Sequence, residues 1–320
     1  MQKYLWHKLL NKIICGDCIE VLGKIREPFA DLIFADPPFN IGYKYDKYYD
    51  KVKKKNYIAW TKEWMSVCKK ILKPNGSFYI AIGDEYAANI KVIADELGLF
   101  MRNWIIWHYT FGQQMKNKFA RSHTHIFYFV NDSKNFTFND HAVRVPSDRQ
   151  LIYNDKRANP AGKMPDDVWN GYSRVCGTFK ERTGWHPCQM PEDLLKRIIA
   201  ASSNPSDCVL DPFSGSGTTA AAAVQLGRNF LGVEISQTYV DNSQKRLANL
   251  RQQQRYNLYL NAAELSELKR LSADMTVPVK EIAADNNLLK HFTNQFTVRM
   301  NNQKHYRSEE LITALKDLAD

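Results

Sequence analysis

Asp36-Pro37-Pro38-Phe39-Asn40 is the run in this sequence whose residue types can do chemistry on a nucleobase. The exocyclic amine of adenine or cytosine is a poor nucleophile because its lone pair is delocalised into the ring. A catalyst must draw that nitrogen towards tetrahedral geometry, and two hydrogen-bond acceptors can do so. The Asp36 carboxylate and the Pro37 carbonyl can each accept one N–H and aim the freed lone pair at a methyl sulfonium, while Phe39 offers a flat surface to the base. Prolines fix such a turn and present carbonyls without competing donors. The plain alternative is a Pro-Pro strand terminator beside a core Phe.

Three more acidic residues end apolar runs in the same way: Asp17 after Lys12-Ile13-Ile14-Cys15, Asp211 after Cys208-Val209-Leu210, and Glu234 after Asn229 to Val233. Each alone reads as a turn residue or a cap. Together with Asp36 they predict one rim, because ligands of an open α/β sheet bind beyond the carboxyl ends of its strands. Asp211-Pro-Phe-Ser-Gly-Ser-Gly-Thr-Thr219 reads as a strand end, a glycine-rich turn and a helix start, which exposes backbone N–H groups to a ligand. No lysine follows Gly217, which disfavours the phosphate loop of nucleotide hydrolases. Glu234 is placed to accept from ribose hydroxyls, which suits a nucleoside-containing ligand, NAD included.

The elements that must hold these residues alternate. Strands are expected at Lys12–Cys15, Asp31–Ala35, Ser77–Ile82, Trp104–Tyr109, His125–Val130, Cys208–Leu210 and Asn229–Val233. Helices are expected at Cys18–Ile25, Tyr57–Leu72, Asp84–Leu97, Pro191–Ser202, Thr218–Leu226 and Ser236 to about Arg255, with Pro74-Asn75-Gly76 closing the second of them. This rhythm predicts a doubly wound, parallel α/β sheet. Periodicity fades from Gly112 to Trp185, which reads as an irregular functional insertion, and Tyr256 to Asp320 reads as a small helical appendage with apolar spacing at Leu288, Leu289, Phe292, Phe296, Leu311, Ile312, Leu315 and Leu318. Trp60 and Trp64 lie at helical spacing and are expected in the core.

Composition narrows the class. The chain has 320 residues, 44% hydrophobic and 24% charged, which describes a folded globular protein and excludes a disordered or fibrous one. Forty-four Lys and Arg against 34 Asp and Glu leave a net charge of +10, which suits a polyanionic partner. No stretch approaches the roughly 18 apolar residues of a membrane span, and no secretory apolar region follows the first charges, so no membrane partner and a cytoplasmic location are expected. The six cysteines are too dilute for a disulfide scaffold. Cys15-Gly-Asp-Cys18 has zinc spacing but lacks a second pair, since neither His123-x-His125 nor His186-x-Cys188 is an ordinary complement; no metal is expected.

Asp36-Pro-Pro-Phe39 preceding Asp211–Thr219, with Gly16-Asp17-Cys18-Ile19-Glu20, His186-Pro187-Cys188-Gln189-Met190-Pro191 and Gly232-Val233-Glu234, resembles the exocyclic-amino DNA methyltransferases of the β arrangement, in which the catalytic motif precedes the cofactor motif. The resemblance spans roughly residues 11–250. It implies S-adenosylmethionine as cofactor, with Asp17 at its adenine, Glu234 at its ribose, and Phe213, Ser214, Gly215 and Gly217 at its methionine part. Asp36, Asp211 and Thr218 complete that expected cofactor set, and Asp36, Pro37, Pro38 and Phe39 form the expected catalytic set. Met190 stands where the family commonly has Lys, so His186 is carried over only as a residue near the cofactor pocket.

The resemblance also implies a seven-stranded, mostly parallel Rossmann-like sheet with one antiparallel edge hairpin, followed by a recognition region. The chain then divides into a catalytic half at 1–111, the hairpin and recognition insertion at 112–185, a cofactor half at 186–255 and the appendage at 256–320. Arg121, Arg144, Arg149, Arg157, Lys163, Arg174, Lys180 and Arg182 are the insertion's candidates for reading base edges or holding phosphates. The expected substrate is adenine in double-stranded DNA, rotated out of the helix at a cost of a few kcal/mol. Cytosine is the runner-up, because Ser-Pro-Pro is commoner at that position in cytosine enzymes. A non-catalytic nucleic-acid-binding protein is the reading from another class. Lys51 to Lys55 reads as a solvated surface or as a loop closing over DNA. A homodimer and a cognate restriction endonuclease are left open as partners. The appendage, with mixed charge, points to packing or dimerisation.

Overall fold

The computed structural model describes residues 6–113, 116–179, 181–253, 260–275, 277–301, 304 and 306–317. Of the residues singled out above, Lys180 and Leu318 and the end of the long helix at Arg255 lie outside them. After a short turn of helix at Trp6–Leu9, the chain runs β1 (Lys12–Cys15), α1 (Cys18–Gly23), β2 (Ala30–Ala35), α2 (Lys54–Ile71), β3 (Leu72–Ile82), α3 (Asp84–Glu96), β4 (Phe100–Gln113) and β5 (Arg121–Val130). The insertion then carries α4 (Asp148–Leu151) and β6 (Val168–Trp169). The alternation resumes with α5 (Glu192–Ser202), β7 (Cys208–Asp211), α6 (Thr218–Gln225), β8 (Asn229–Glu234) and α7 (Gln237–Gln253). Four helices follow: α8 (Ala262–Met275), α9 (Val279–Ala284), α10 (Asn286–Met300) and α11 (Ser308–Asp317).

The strands form one sheet in the order β1-β8-β7-β2-β3-β5-β4-β6, parallel except that β5 runs antiparallel to both β3 and β4. The sheet has eight strands rather than seven. The eighth is the two-residue β6, which the insertion lays parallel along β4, Ile106 opposite Val168 and Trp107 opposite Trp169, and which covers backbone groups that an edge strand leaves unpaired. Another difference lies at Pro74-Asn75-Gly76. These residues fall within β3, where pairing with β2 shifts between Ala30–Leu72 and Leu32–Ser77, so they form a bulge after α2 has ended. Asn131 fastens the bulge by donating to the Lys73 carbonyl at 2.9 Å.

Side chains alternate across the sheet into two cores. Ile33, Phe78, Ile80, Phe127 and Phe129 pack with α1, α2 and α3 on one face, while Leu32, Phe34, Tyr79, Ile126 and Tyr128 pack with α5, α6 and α7 on the other. Trp64 is fully buried in the first. A third core, built on Leu268, Leu271, Ile282, Phe292, Phe296 and Leu311, belongs to the appendage. That appendage grips the insertion through its backbone: Arg270 donates to the Ala142 carbonyl, Arg299 to that of Arg144 at 2.9 Å, and Asn294 to that of Pro160 at 2.9 Å.

Candidate active site

Strands β1, β8, β7 and β2 are neighbours and parallel, so their carboxyl ends bring Asp17, Glu234, Asp211 and Asp36 to one rim. Cys15 lies opposite Glu234 in the register, and the Gly16 amide donates to the Glu234 carbonyl at 2.9 Å. The side chains then take different tasks. Asp17 caps α1, accepting from the Ile19 and Glu20 amides at 2.8 and 3.2 Å. Glu234 accepts from the Gly215 amide and from the Ser236 amide, both at 2.8 Å, and so joins the glycine turn to the start of α7. Asp211 accepts from the Phe213 amide at 2.9 Å and from the Thr219 hydroxyl at 2.5 Å.

Burial pushes the Asp211 carboxyl up to about 7, against its two hydrogen bonds and with the Glu234 charge adding to the rise. Asp211 and Thr218 are both buried, and the Thr218 hydroxyl lies 2.8 Å from that of Ser216 and accepts from Arg246 at 3.0 Å, so these residues shape the turn. Gly215 has φ +47, and a Cβ there would lie 2.8 Å from the His186 Nε2. His186 therefore does pack on the turn. It also packs edge-on against Tyr239, with ring centroids 4.8 Å apart, and burial pushes it down to about 4, which keeps it neutral. Beside it the Ser214 hydroxyl is buried with no hydrogen-bond partner among the described residues. Phe213 is half-buried, with its ring edge-on to Trp64 at 5.2 Å and tilted to Trp60 at 5.6 Å.

Asp36 is half-buried at the end of β2. Burial first, and the Asp211 carboxylate second, push its carboxyl up to about 8. Tyr57 of α2 donates to the Pro38 carbonyl at 2.6 Å, and Phe39 abuts Gly83, whose Cβ would lie 3.3 Å from the ring. Asn40, at φ 58, closes the turn: its side-chain Nδ2 donates to the Tyr86 hydroxyl at 2.6 Å, and its Oδ1 accepts from the Val52 backbone N–H at 2.7 Å.

The segment between Asn40 and α2 was read from sequence only for its lysines, yet its tyrosines and Asp46 reach the site. Tyr45 and Tyr48 stack at 4.8 Å, the Tyr45 hydroxyl donates to the Cys188 sulfur at 3.8 Å, and Asp46 accepts from the Ser236 hydroxyl at 2.6 Å. The signal was four tyrosines, Tyr43, Tyr45, Tyr48 and Tyr49, in the seven residues 43–49 that follow the Asp36–Asn40 motif closely. Lys51, Lys53, Lys54 and Lys55 are exposed, the last two in the first turn of α2. In the insertion, Arg144 pairs with Asp140 at 2.8 Å, Arg149 and Arg157 both pair with Asp155, Lys163 pairs with Asp166, and Arg174 lies over the Tyr109 ring.

The charges that act on the rim carboxylates are themselves acidic: Asp211 on Asp36, Glu234 on Asp211 and Asp46 on Glu234. Carboxylates desolvated with no cation among the described residues beside them fit a positively charged ligand, and the Ser214 hydroxyl, unpartnered among those residues, offers it a polar contact. A sulfonium nucleoside meets these demands. Among the described residues, no group of His, Cys, Asp and Glu is arranged to hold a metal ion.

A family model described as DNA methylase (N6_N4_Mtase) matches residues 30–245. The Type II methyltransferase M.HpaI of Haemophilus parainfluenzae is 35% identical over 270 residues, covering 84% of this chain and 82% of that protein. The DNA adenine methyltransferase YhdJ of Escherichia coli (strain K12) is 41% identical over 245 residues, covering 73% and 82%. Among solved structures, the cytosine-N4-specific PvuII DNA methyltransferase aligns with a TM-score of 0.56 at 19% identity, over 82% of this chain and 92% of that one, a likeness of fold. Others of this fold were solved in complex with S-adenosylmethionine. With more than half its length inside the family model and relatives above 30% identity across most of both chains, this protein belongs to the DNA methylase family.

Proposed function

We propose that this DNA methyltransferase moves a methyl group from S-adenosylmethionine to the exocyclic amine of adenine at specific sites in duplex DNA, on a base turned out of the helix. The observation that carries this reading is the half-buried Asp36 beside Pro37 and Asp211 at the end of β2, with no cation paired to it among the described residues. Asp17, Phe213, Ser214, Gly215 and Glu234 would hold the cofactor, with His186 packed against the turn. Bound there, S-adenosylmethionine supplies an electrophilic methyl group on a cationic sulfur.

The chain's own residues prepare the amine. Asp36 and the Pro37 carbonyl each accept one N–H, which turns the nitrogen lone pair out of the ring plane, and Phe39 supports the base face. Asp36 must be ionised to accept well. Its upward shift in the free protein is relieved by a nearby positive charge, so cofactor affinity should rise with pH towards about 8. Adenine is supported by the aspartate that begins Asp36-Pro-Pro-Phe39 and by the relative named as an adenine methyltransferase. Type II relatives support a role beside a restriction endonuclease of the same specificity. A cytoplasmic location goes with these bacterial relatives; among the described residues, no helix is long and apolar enough to cross a membrane.

The test incubates the protein with unmethylated DNA and methyl-labelled cofactor, then digests to nucleosides. Label in N6-methyl-2′-deoxyadenosine is expected, label in N4-methyl-2′-deoxycytidine would transfer the reading to cytosine, and absence of label would overturn it. Asp36→Ala should lower turnover by about a hundredfold to a thousandfold, as when a transition-state hydrogen bond is lost, while cofactor binding at pH 7 survives and loses its rise towards pH 8. Parallel loss of both would mean structural damage instead.

A further inference from the structure

Strands β4 and β5 leave the sheet together. The last residue of β3, Ile82, lies opposite His125 of β5, but β5 begins at Arg121, and β4 continues to Gln113. Four residues of overhang at about 3.3 Å each carry the hairpin about 13 Å past the end of β3. Since β2 and β3 are parallel, the hairpin rises from the rim on which Asp36 stands.

The arm is braced at its base. Arg121 pairs with Asp84 at 2.9 Å, the Tyr109 and Thr124 hydroxyls lie 3.3 Å apart, and Gly112 lets the strands close in, since a Cβ there would come within 2.5 Å of the Arg121 carbonyl oxygen. Beyond the brace, Lys116, Asn117, Lys118, Phe119 and Ala120 are all exposed. Phe119 is 99% exposed, more than any other large apolar side chain among the described residues. A fully solvated phenyl ring between cations, on a braced arm beside a catalytic rim, suits a partner that offers phosphates and an apolar stack together, which is duplex DNA.

We propose that Phe119 is a wedge that enters the base stack beside the target base, with Lys116 and Lys118 on the adjacent phosphates. This rests on the DNA-methylation reading and extends it to the step before chemistry, in which the target must be unstacked. A side chain that fills or props the gap keeps the base from returning.

The experiment maps the recognition site from methylated genomic adenines and measures affinity and methylation on a duplex carrying it. Phe119→Ala should weaken binding by about tenfold, as for a lost base–aromatic stack, and Phe119→Trp should restore it. A mismatch opposite the target adenine, which makes unstacking easier, should recover most of the Phe119→Ala defect. Lys116→Ala and Lys118→Ala should each reduce the salt slope of DNA binding by about one. Wild-type affinity in Phe119→Ala, equal weakening in Phe119→Trp, or no recovery on the mismatched duplex would overturn the wedge. A fall in cofactor affinity in Phe119→Ala would also overturn it, by showing an effect through the fold. A wild-type protein that methylates no DNA would overturn the enzymatic reading itself, which these variants leave untouched.

Discussion

The carboxylates of the strand-end rim and those under the appendage are both desolvated, but their surroundings are opposite. At the rim, Asp36 and Asp211 face further acids and are pushed up to about 8 and about 7. Under the appendage, Asp274 of α8 meets three guanidiniums: Arg197 of α5 at 2.6 Å, Arg299 of α10 at 2.7 Å and Arg270 at 3.6 Å, with the Tyr172 hydroxyl donating as well. Burial alone would raise the Asp274 carboxyl, but these cations hold it below the usual carboxylate range. Glu267 adds a second acid, paired with Arg270 at 2.6 Å and Arg299 at 3.2 Å. The paired cluster ties the core helix α5, the insertion and the appendage into one body. The unpaired cluster carries an electrostatic mismatch that a cationic ligand relieves, and the distinction separates architecture from function where burial alone does not.

The largest effect should come from breaking the paired cluster. Asp274→Ala takes the acid from Arg197 and leaves Arg270 and Arg299 to share Glu267, and should cost about 3–5 kcal/mol in urea unfolding; a loss within experimental error would show that the cluster is not the clasp. Because the folded carboxyl is held below its unfolded value, this contribution is present in full above the ordinary carboxylate pKa and should be lost progressively as pH falls from there through the lower folded value. At the rim, Glu234→Ala should weaken cofactor binding by roughly 1.5–3 kcal/mol in calorimetry, and an unchanged Kd would remove Glu234 from the site. The smallest effect has the opposite sign. Asp36 has a raised folded pKa, so its favourable contribution is present below the ordinary value of 3.8 and lost as pH rises through about 8. Asp36→Asn should therefore be more stable than wild type at pH 9, on the order of 1–2 kcal/mol after discounting for partial exposure, and indistinguishable at pH 4. Equal melting temperatures at both pH values would erase the contrast between the clusters.

Sequence order made the rim legible because strand ends are local signals. β1 falls at Lys12–Cys15 as its apolar run implies, and parallel strands place their terminal acids on one side whatever the details of packing. The packing of His186 on Gly215 was foreshadowed by a motif rather than by periodicity. Other features had no local signature. The Tyr45–Tyr48 strap looked like a basic loop, because a tyrosine's partner is not written beside it. The β6 pairing depends on which edge of β4 the insertion happens to cover.

What the residues alone determined was the chemistry on offer: acids after strands, rigid carbonyls after Asp36, and a turn with small residues for close approach. Those are properties of short segments, governed by backbone sterics and strand geometry. What only the tertiary structure decided was which charges are compensated. Asp274 finds Arg197, 77 positions away, and Tyr172, 102 positions away, whereas the charge that acts on Asp36 is that of another acid, Asp211. Electrostatic fate depends on distance in space and on the water excluded there, and neither can be read from position along the chain.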